Sequence, residues 1–155
     1  LAGMYHWFPK MSGKMYNENV GRFAAILVFV GFNLTFFPQF VMGSHGSPRR
    51  WATYPIEFQP FHRMSTVGAY LMAAGFFTVG FNWLFAALWG KKAAANPWGG
   101  NSLEWQTPSP PPHDNFPGEP PEADDPYNLS AWEYNPAEKG WFKKPGQPQA
   151  VPVPH

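Results

Sequence analysis

Two adjacent arginines, Arg49 and Arg50, stand at the end of a long apolar run and are the residues best suited to chemistry in this chain. Arginine keeps its charge under ordinary conditions and offers a planar set of donors that matches a carboxylate or a phosphate. The apolar run before the pair carries Asn33, Thr35 and Gln39, and polar side chains inside a membrane span are costly and usually functional. The pair therefore predicts a bound anion, with lipid phosphate as the alternative that composition leaves open.

The elements that must position these residues are two apolar runs, 23–42 and 64–90, neither of which contains Asp, Glu, Lys or Arg. About 20 apolar residues at a rise of ~1.5 Å each cross a hydrocarbon core of ~30 Å. The connection between the runs holds Gly43, Gly46, Pro48, Pro55 and Pro60, which excludes a regular helix there. The sequence therefore predicts an all-α membrane protein with two transmembrane helices in a hairpin.

Five segments follow from this reading. They are 1–22, the end of a preceding helix and a cytoplasmic loop; 23–42, a transmembrane helix; 43–62, an outer loop with the arginine pair; 63–90, a second transmembrane helix; and 91–155, a proline-rich tail. Asn17 or Asn19 is the expected N-cap of the first span. The second span is expected to stop at Gly90, which two lysines follow.

Charge divides along the chain. Residues 1–92 carry eight basic against two acidic residues, and residues 93–155 carry three basic against eight acidic ones. The net charge of +1 is a cancellation and gives no reason to expect a nucleic-acid partner. Five basic residues flank the spans on the side of the tail and three on the side of the arginine pair, so the positive-inside rule places the tail in the cytoplasm.

Metal ligation by this chain is not expected. The sequence has no cysteine, which excludes disulfides and thiolate sites. Its histidines show no i, i+4 pair and none lies inside a full span; they are His6, His45, His62, His113 and His155. A haem or copper centre needs histidines at fixed helical spacing. We therefore assign this chain no metal ligand and no catalytic residue.

The aromatic side chains of the spans allow two interpretations. They face lipid, or they line a large planar cofactor. Gly68 and Gly75 recur at a spacing of seven residues on the second span, which indicates a face packed closely against another helix.

The tail contains 14 of the 19 prolines and predicts an extended strap on a membrane complex or a disordered end. Its aromatic residues favour docking; they are Tyr127, Trp132, Tyr134, Trp141 and Phe142.

Several ordered motifs together resemble a known family. They are Tyr5-His6-Trp7-Phe8-Pro9-Lys10-Met11-Ser12-Gly13-Lys14, Gly31-Phe32-Asn33-Leu34-Thr35-Phe36-Phe37-Pro38-Gln39, Gly46-Ser47-Pro48-Arg49-Arg50 and Tyr54-Pro55. This series closely resembles the C-terminal part of cytochrome c oxidase subunit I, of the haem-copper oxidase superfamily. Asn101-Ser102-Leu103-Glu104-Trp105 followed by three prolines looks like the tail of that family. The resemblance covers about residues 1–116, and 117–155 match no family motif.

The resemblance implies roles for named residues. Subunit I of this family has twelve membrane helices, of which this chain would supply the end of the tenth and the last two. By the same match, Arg49 and Arg50 would pair with the propionates of the low-spin haem, and Phe32, Phe36 and Gln39 would face that haem. The haem and copper histidines of the family lie in earlier helices. Copper would therefore belong to the complex without being bound by this chain.

The resemblance also implies partners and a location. The remainder of subunit I would lie on another chain or another part of the same one, beside subunits II and III. The complex would transfer electrons from cytochrome c, which subunit II receives, to oxygen, and it would pump protons across a bacterial inner membrane. Quinol is a variant donor. The alternative is a stand-alone two-helix accessory or assembly subunit with a docking tail.

Two positions depart from the family pattern. Phe40 stands where the family usually has His, and Ser47 stands where it usually has Met. Neither position is a metal ligand in the family. The departures therefore bear on packing and hydration outside the haem.

Overall fold

The structure of the chain, a computed structural model, describes residues 1–50, 52–116, 129–137 and 140–144. The fold is mostly helical, with α1 (Ala2–Ser12), α2 (Glu18–Ser44) and α3 (Gln59–Trp89). The described strands are short: β1 (Lys14–Met15), β2 (Lys91–Lys92), β3 (Trp132–Asn135) and β4 (Gly140–Lys143). Short 3-10 turns occur at Ile56–Phe58, Leu103–Gln106 and Leu129–Ala131. Tyr127 and His155, named above, lie outside the described residues.

The chain forms two compact units. One, the helical hairpin, comprises Tyr16–Leu88. The other, the terminal unit, joins Leu1–Met15 to the chain that follows from Trp89. Helices α2 and α3 are 27 and 31 residues long, and both are long and apolar enough to cross a membrane.

Helix α2 begins where a cap was expected. The side-chain oxygen of Asn17 accepts a hydrogen bond from the Val20 N–H at 3.2 Å, which satisfies one of the donors left free at a helix start. The first turn is further supported by an ion pair between Glu18 and Arg22 at 2.6 Å. The prediction of a cap at residue 17 or 19 is confirmed at Asn17.

Other helix boundaries differ from those predicted. Helix α2 runs from Glu18 to Ser44, where the predicted span was 23–42. Helix α3 begins at Gln59, where the predicted span began at residue 63. Pro60 lies in the first turn of α3, where a missing N–H costs no helical hydrogen bond. Helix α3 ends at Trp89, immediately before Gly90, as expected.

The two long helices pack along one regular seam. The buried residues of α2 are Gly21, Ala24, Gly31, Thr35, Pro38 and Met42, and those of α3 are Ser65, Gly68, Gly75, Val79, Asn82 and Ala86. Both sets follow the same spacing of 3, 7, 4, 3 and 4 residues, which matches the a and d positions of a heptad repeat. The seam is antiparallel, because Asn17 at the start of α2 bonds to Asn82 near the end of α3.

The terminal unit is built on two short antiparallel strands. Lys14 pairs with Lys92, and Met15 pairs with Lys91. Gly13, at φ 68°, ends α1 in the left-handed region that favours glycine. Its carbonyl accepts a hydrogen bond from the Ala93 N–H at 2.8 Å. The chain that enters α2 is thereby paired with the chain that leaves α3.

The described part of the tail folds onto this unit, whereas the sequence predicted an extended strap or a disordered end. The indole of Trp98 donates to the His6 carbonyl at 2.8 Å, and Trp105 is 4% exposed. Strands β3 and β4 pair as a hairpin, and the Trp141 N–H donates to the Gly99 carbonyl at 2.9 Å. Trp98 and Trp105 are therefore held within their own unit of this chain, whereas Tyr134 and Phe142 are 48% and 39% exposed.

Candidate functional site

The arginine pair lies in the loop that follows α2. The loop starts with a hydrogen bond from the Ser47 N–H to the Met42 carbonyl at 3.0 Å. Both arginines are exposed, and within the described part of the chain neither makes an ion pair. Arg50 has φ 63°, a backbone conformation that is uncommon for a residue with a side chain and that recurs at functional sites. The loop thus presents two charged donor groups that are available to an anion. Trp51, which follows the pair, lies outside the described residues.

The three other predicted site residues share a face of α2. Phe32, Phe36 and Gln39 follow a spacing of four and three residues, which places them along one helix face. The rings of Phe32 and Phe36 lie 4.7 Å apart between centroids, tilted by 45°, and the residues are 52% and 46% exposed. The structure therefore brings the two phenylalanines together as an exposed aromatic surface beside the buried seam.

Gln39 is held by a polar chain that crosses the seam. Its amide nitrogen donates to the Ser65 hydroxyl at 2.9 Å, and that hydroxyl donates to the Thr35 carbonyl. The Thr35 hydroxyl in turn donates to the Gly31 carbonyl at 2.7 Å. Sequence reasoning missed Ser65. The signal that would have found it is a hydroxyl at the seam spacing, on α3, opposite a proline in α2.

His62 also differs from its predicted place. The sequence assigned it to the outer loop, and the structure places it in the second turn of α3. Its ring lies 4.0 Å from that of Tyr54 between centroids. Its Nε2 atom is buried without a hydrogen-bond partner among the described residues. The loop and the start of α3 are thereby packed together through these two rings.

Lys10 is the central charged residue of the terminal unit and is 5% exposed. Its ammonium donates to the carbonyls of Ala95 at 2.8 Å and Thr107 at 2.6 Å, with Pro108 at 3.4 Å. It also lies 5.3 Å from the centre of a Trp105 ring, within cation–π range. Burial lowers the pKa of Lys10, and the nearby Glu104 carboxylate opposes that shift. One side chain thus fixes two distant segments of the tail.

Replacing Lys10 with methionine is expected to loosen the tail at both segments. The change keeps the apolar stem but removes the ammonium donor from the Thr107 carbonyl and leaves the Ala95 carbonyl with only the longer bond from the Ser109 hydroxyl at 3.4 Å. The expected cost is about 1–3 kcal/mol. Hydrogen exchange of the backbone around these two residues should accelerate in the intact protein. Lys14→Met is the matched control, because that ammonium donates to one carbonyl, of Gly90, at 3.2 Å. Equal exchange in the two variants would contradict the role given to Lys10.

Comparison with known proteins shows which family has this combination of helical hairpin, arginine loop and aromatic face. Residues 1–71 match the family model for Cytochrome C and Quinol oxidase polypeptide I. The chain is 50% identical over 120 residues to cytochrome c oxidase subunit 1 of Synechocystis. It is 42% identical over 115 residues to the same subunit of Thermostichus vulcanus, and 43% identical over 122 residues to the haem-copper oxidase subunit I+III of Aeropyrum pernix.

These matches confirm the resemblance that the motifs predicted: the chain corresponds to a segment of subunit I of the haem-copper oxidases. The aligned residues make up 77%, 74% and 77% of this chain but only 22%, 21% and 15% of the three relatives. The chain thus spans about a fifth of the length of the curated relatives it matches. With its two long apolar helices, it is an integral membrane segment.

Proposed function

We propose that this chain is the C-terminal part of the catalytic subunit of a terminal respiratory oxidase that transfers electrons from cytochrome c to oxygen and pumps protons. Its α2 and α3 would be the last two of twelve membrane helices. The observation that carries this proposal is the 50% identity over 120 residues to a cytochrome c oxidase subunit 1. The exposed arginine pair beyond α2 supports it, because a haem with two propionates is an anion of the kind that such a pair binds.

The residues present fit one side of a haem site. Arg49 and Arg50 are exposed charged donors, suited to the propionate carboxylates. Phe32 and Phe36 offer an apolar surface with their rings 4.7 Å apart, suited to the macrocycle edge, and Gln39 adds a polar group one turn further. When bound, haem supplies one-electron transfer.

The proposed role of this chain is to contact the haem and to neutralise the charge of its propionates. The guanidinium groups neutralise the propionates through charge-assisted hydrogen bonds, which are about twice as strong as neutral ones. The phenylalanine rings exclude water from the cofactor edge. The histidine ligands and the copper site belong to the rest of subunit I. This chain therefore contributes to the oxidase without being catalytic by itself.

The proposed partners are those that the family resemblance implies, and they would pack on the surfaces that the chain leaves exposed. The remainder of subunit I covers part of the outward face of the hairpin, subunits II and III complete the complex, and cytochrome c docks through subunit II. The lipid bilayer covers the rest, where side chains such as Phe29 and Phe77 are 71% and 68% exposed. The location is a bacterial inner membrane. Lysines of the terminal unit favour a cytoplasmic tail by the positive-inside rule.

Purification through a tag on this chain tests the proposal. In a mild detergent, we expect the tagged chain to bring with it polypeptide that carries the histidine-bearing helices, together with the visible absorption of low-spin haem. The measurements are the absorption spectrum and the mass of the co-purified chains. A tagged chain that is isolated without haem, or with a complex whose other chains already form a complete subunit I, would instead establish the accessory role.

A further inference from the structure

Ser65 lies in the seam opposite the turn of α2 that precedes Pro38. A proline inside a helix has no N–H to donate and crowds the preceding turn, and Pro38 is such a residue in α2. The carbonyl that thereby loses its helical donor is that of Leu34, four residues before the proline. The Ser65 hydroxyl, 6% exposed, donates across the seam to the adjacent carbonyl, that of Thr35. This hydrogen bond thus adds a donor from α3 to the turn of α2 that the proline weakens.

This hydrogen bond fixes what Ser65 can offer to Gln39. A hydroxyl has one proton, and the Thr35 carbonyl can only accept it. Because its proton is already donated to Thr35, the Ser65 oxygen can only accept a hydrogen bond from Gln39. The side chain of Gln39 is bound to it at 2.9 Å, so the group that meets Ser65 has to be the amide nitrogen. Chemistry alone thus decides which end of the carboxamide points into the seam.

The close approach of the helices makes this arrangement possible. Gly68 lies one turn from Ser65 on α3, and a Cβ at Gly68 would come within 2.6 Å of the Leu34 carbonyl carbon. Only a residue without a side chain allows α3 to approach α2 this closely just before Pro38. The Ser65 hydroxyl is short, and it reaches the Thr35 carbonyl because the backbones are close.

We propose that Ser65 is a positioning residue for Gln39, holding its carboxamide with the amide nitrogen in the seam and the oxygen toward the exposed face of α2. This rests on the proposed function, in which that face meets the haem. A carboxamide held in this way suits a neutral group that donates a hydrogen bond, such as water or a hydroxyl. A carboxylate would be repelled by the oxygen. In this arrangement the arginines bind the anionic groups, and Gln39 accepts a hydrogen bond from a neutral donor.

The experiment compares Ser65→Ala, Gln39→Leu and the double variant in the assembled oxidase. The readouts are the visible band of the low-spin haem and its midpoint potential. We expect each single variant to shift both, and the double variant to shift them no further than Gln39→Leu alone, because coupled residues are not additive. Ser65→Thr keeps the hydroxyl and is expected to preserve the parent band.

Thr66→Ala is the matched control. Its hydroxyl is exposed and bonds to the His62 carbonyl within α3 at 2.9 Å, so its removal should leave the band unchanged. The proposal is overturned if Gln39→Leu shifts the band and Ser65→Ala does not, or if the two shifts add. It is also overturned if neither Ser65→Ala nor Gln39→Leu changes the haem band or the midpoint potential. In that case the arginine variants test the haem assignment separately. A changed midpoint potential in them supports the assignment, and an unchanged one contradicts it.

A second variant covers the case in which Ser65→Ala does not assemble. In Gln39→Glu, the residue that meets the Ser65 oxygen is a carboxyl group, which donates a hydrogen bond only when it is protonated. We expect the haem band of this variant to depend on pH, in contrast to that of the parent oxidase. A band with the same pH profile as the parent would overturn the requirement for a donor at position 39.

Discussion

Replacing Arg49 or Arg50 with glutamine is expected to lower the midpoint potential of the low-spin haem in the assembled oxidase. A fixed positive charge stabilises the reduced haem, which is the more negative form, and glutamine removes that charge while keeping a polar side chain. Two unit charges ~10 Å apart at an effective dielectric constant of ~20 interact by about 1–2 kcal/mol. The measurement is a redox titration followed at the visible band of the low-spin haem.

The matched control for these variants is Arg63→Gln. Arg63 is exposed on α3. It lies on the same proposed outer side as Arg49 and Arg50 but is not part of the adjacent pair. We expect the potential to be unchanged there. If neither Arg49→Gln nor Arg50→Gln moves the potential, the propionate role is wrong. If Arg63→Gln changes the midpoint potential by the same amount, the effect comes from the general surface charge, and the pair does not bind the propionates specifically.

The same variants address the lipid alternative for the arginine pair. Arginines that bind only a phospholipid headgroup would change the lipid content of the purified complex when they are replaced, and the haem potential would stay constant. Arginines that bind propionates would change the potential at constant lipid content. Phosphorus analysis of the purified variants, alongside the redox titration, separates these two sources of the anion.

The sequence predicted the existence of the spans well and their ends less well. A window without charges locates the apolar part of a span, but helices extend as far as their hydrogen bonds are satisfied. Helix α2 begins at Glu18, five residues before the uncharged window, because Asn17 caps it there, and Glu18 and Arg22 pair at 2.6 Å on its exposed surface. Pro38 does not end α2, which continues to Ser44, and the Ser65 hydroxyl of the other helix adds a hydrogen bond to the Thr35 carbonyl in the turn before the proline. Neither effect can be read from a charge count.

The fold of the tail could not be predicted for a different reason. The contacts that hold it join residues far apart in the chain, such as Lys10 with Ala95 and Thr107, at separations of 85 and 97 residues. A high proline content argues against long helices, and none occurs in the part of the tail that the structure describes. It does not reveal that a buried ammonium binds the backbone carbonyls of the same segment. The charged and aromatic members of the candidate site could be named from the sequence, and their role stays a prediction, whereas Ser65 emerged only from the pairing of α2 with α3.

Gly31→Ala is expected to destabilise the helical hairpin strongly for so small a change. A Cβ built at Gly31 lies 2.8 Å from the Gly68 carbonyl oxygen and from the Met72 Cα, which are backbone atoms that cannot move aside alone. The helices must separate locally. They then lose dispersion contacts, the main attraction between helices in lipid. Overpacking of this kind costs about 1–3 kcal/mol. The measurement is the temperature at which the assembled complex loses its haem band.

Gly80→Ala is the control that separates the effect of a Cβ in the seam from the effect of alanine on helix propensity. Gly80 lies within α3, and a Cβ there has nothing within 4 Å. In an unobstructed helix, alanine is more favourable than glycine by about 1 kcal/mol, so Gly80→Ala should be neutral or stabilising while Gly31→Ala is destabilising. Gly75→Ala should resemble Gly31→Ala, because its Cβ would lie 2.9 Å from the Val28 nitrogen. If all three variants lose the haem band at the parent temperature, close backbone approach along the seam does not hold the hairpin together.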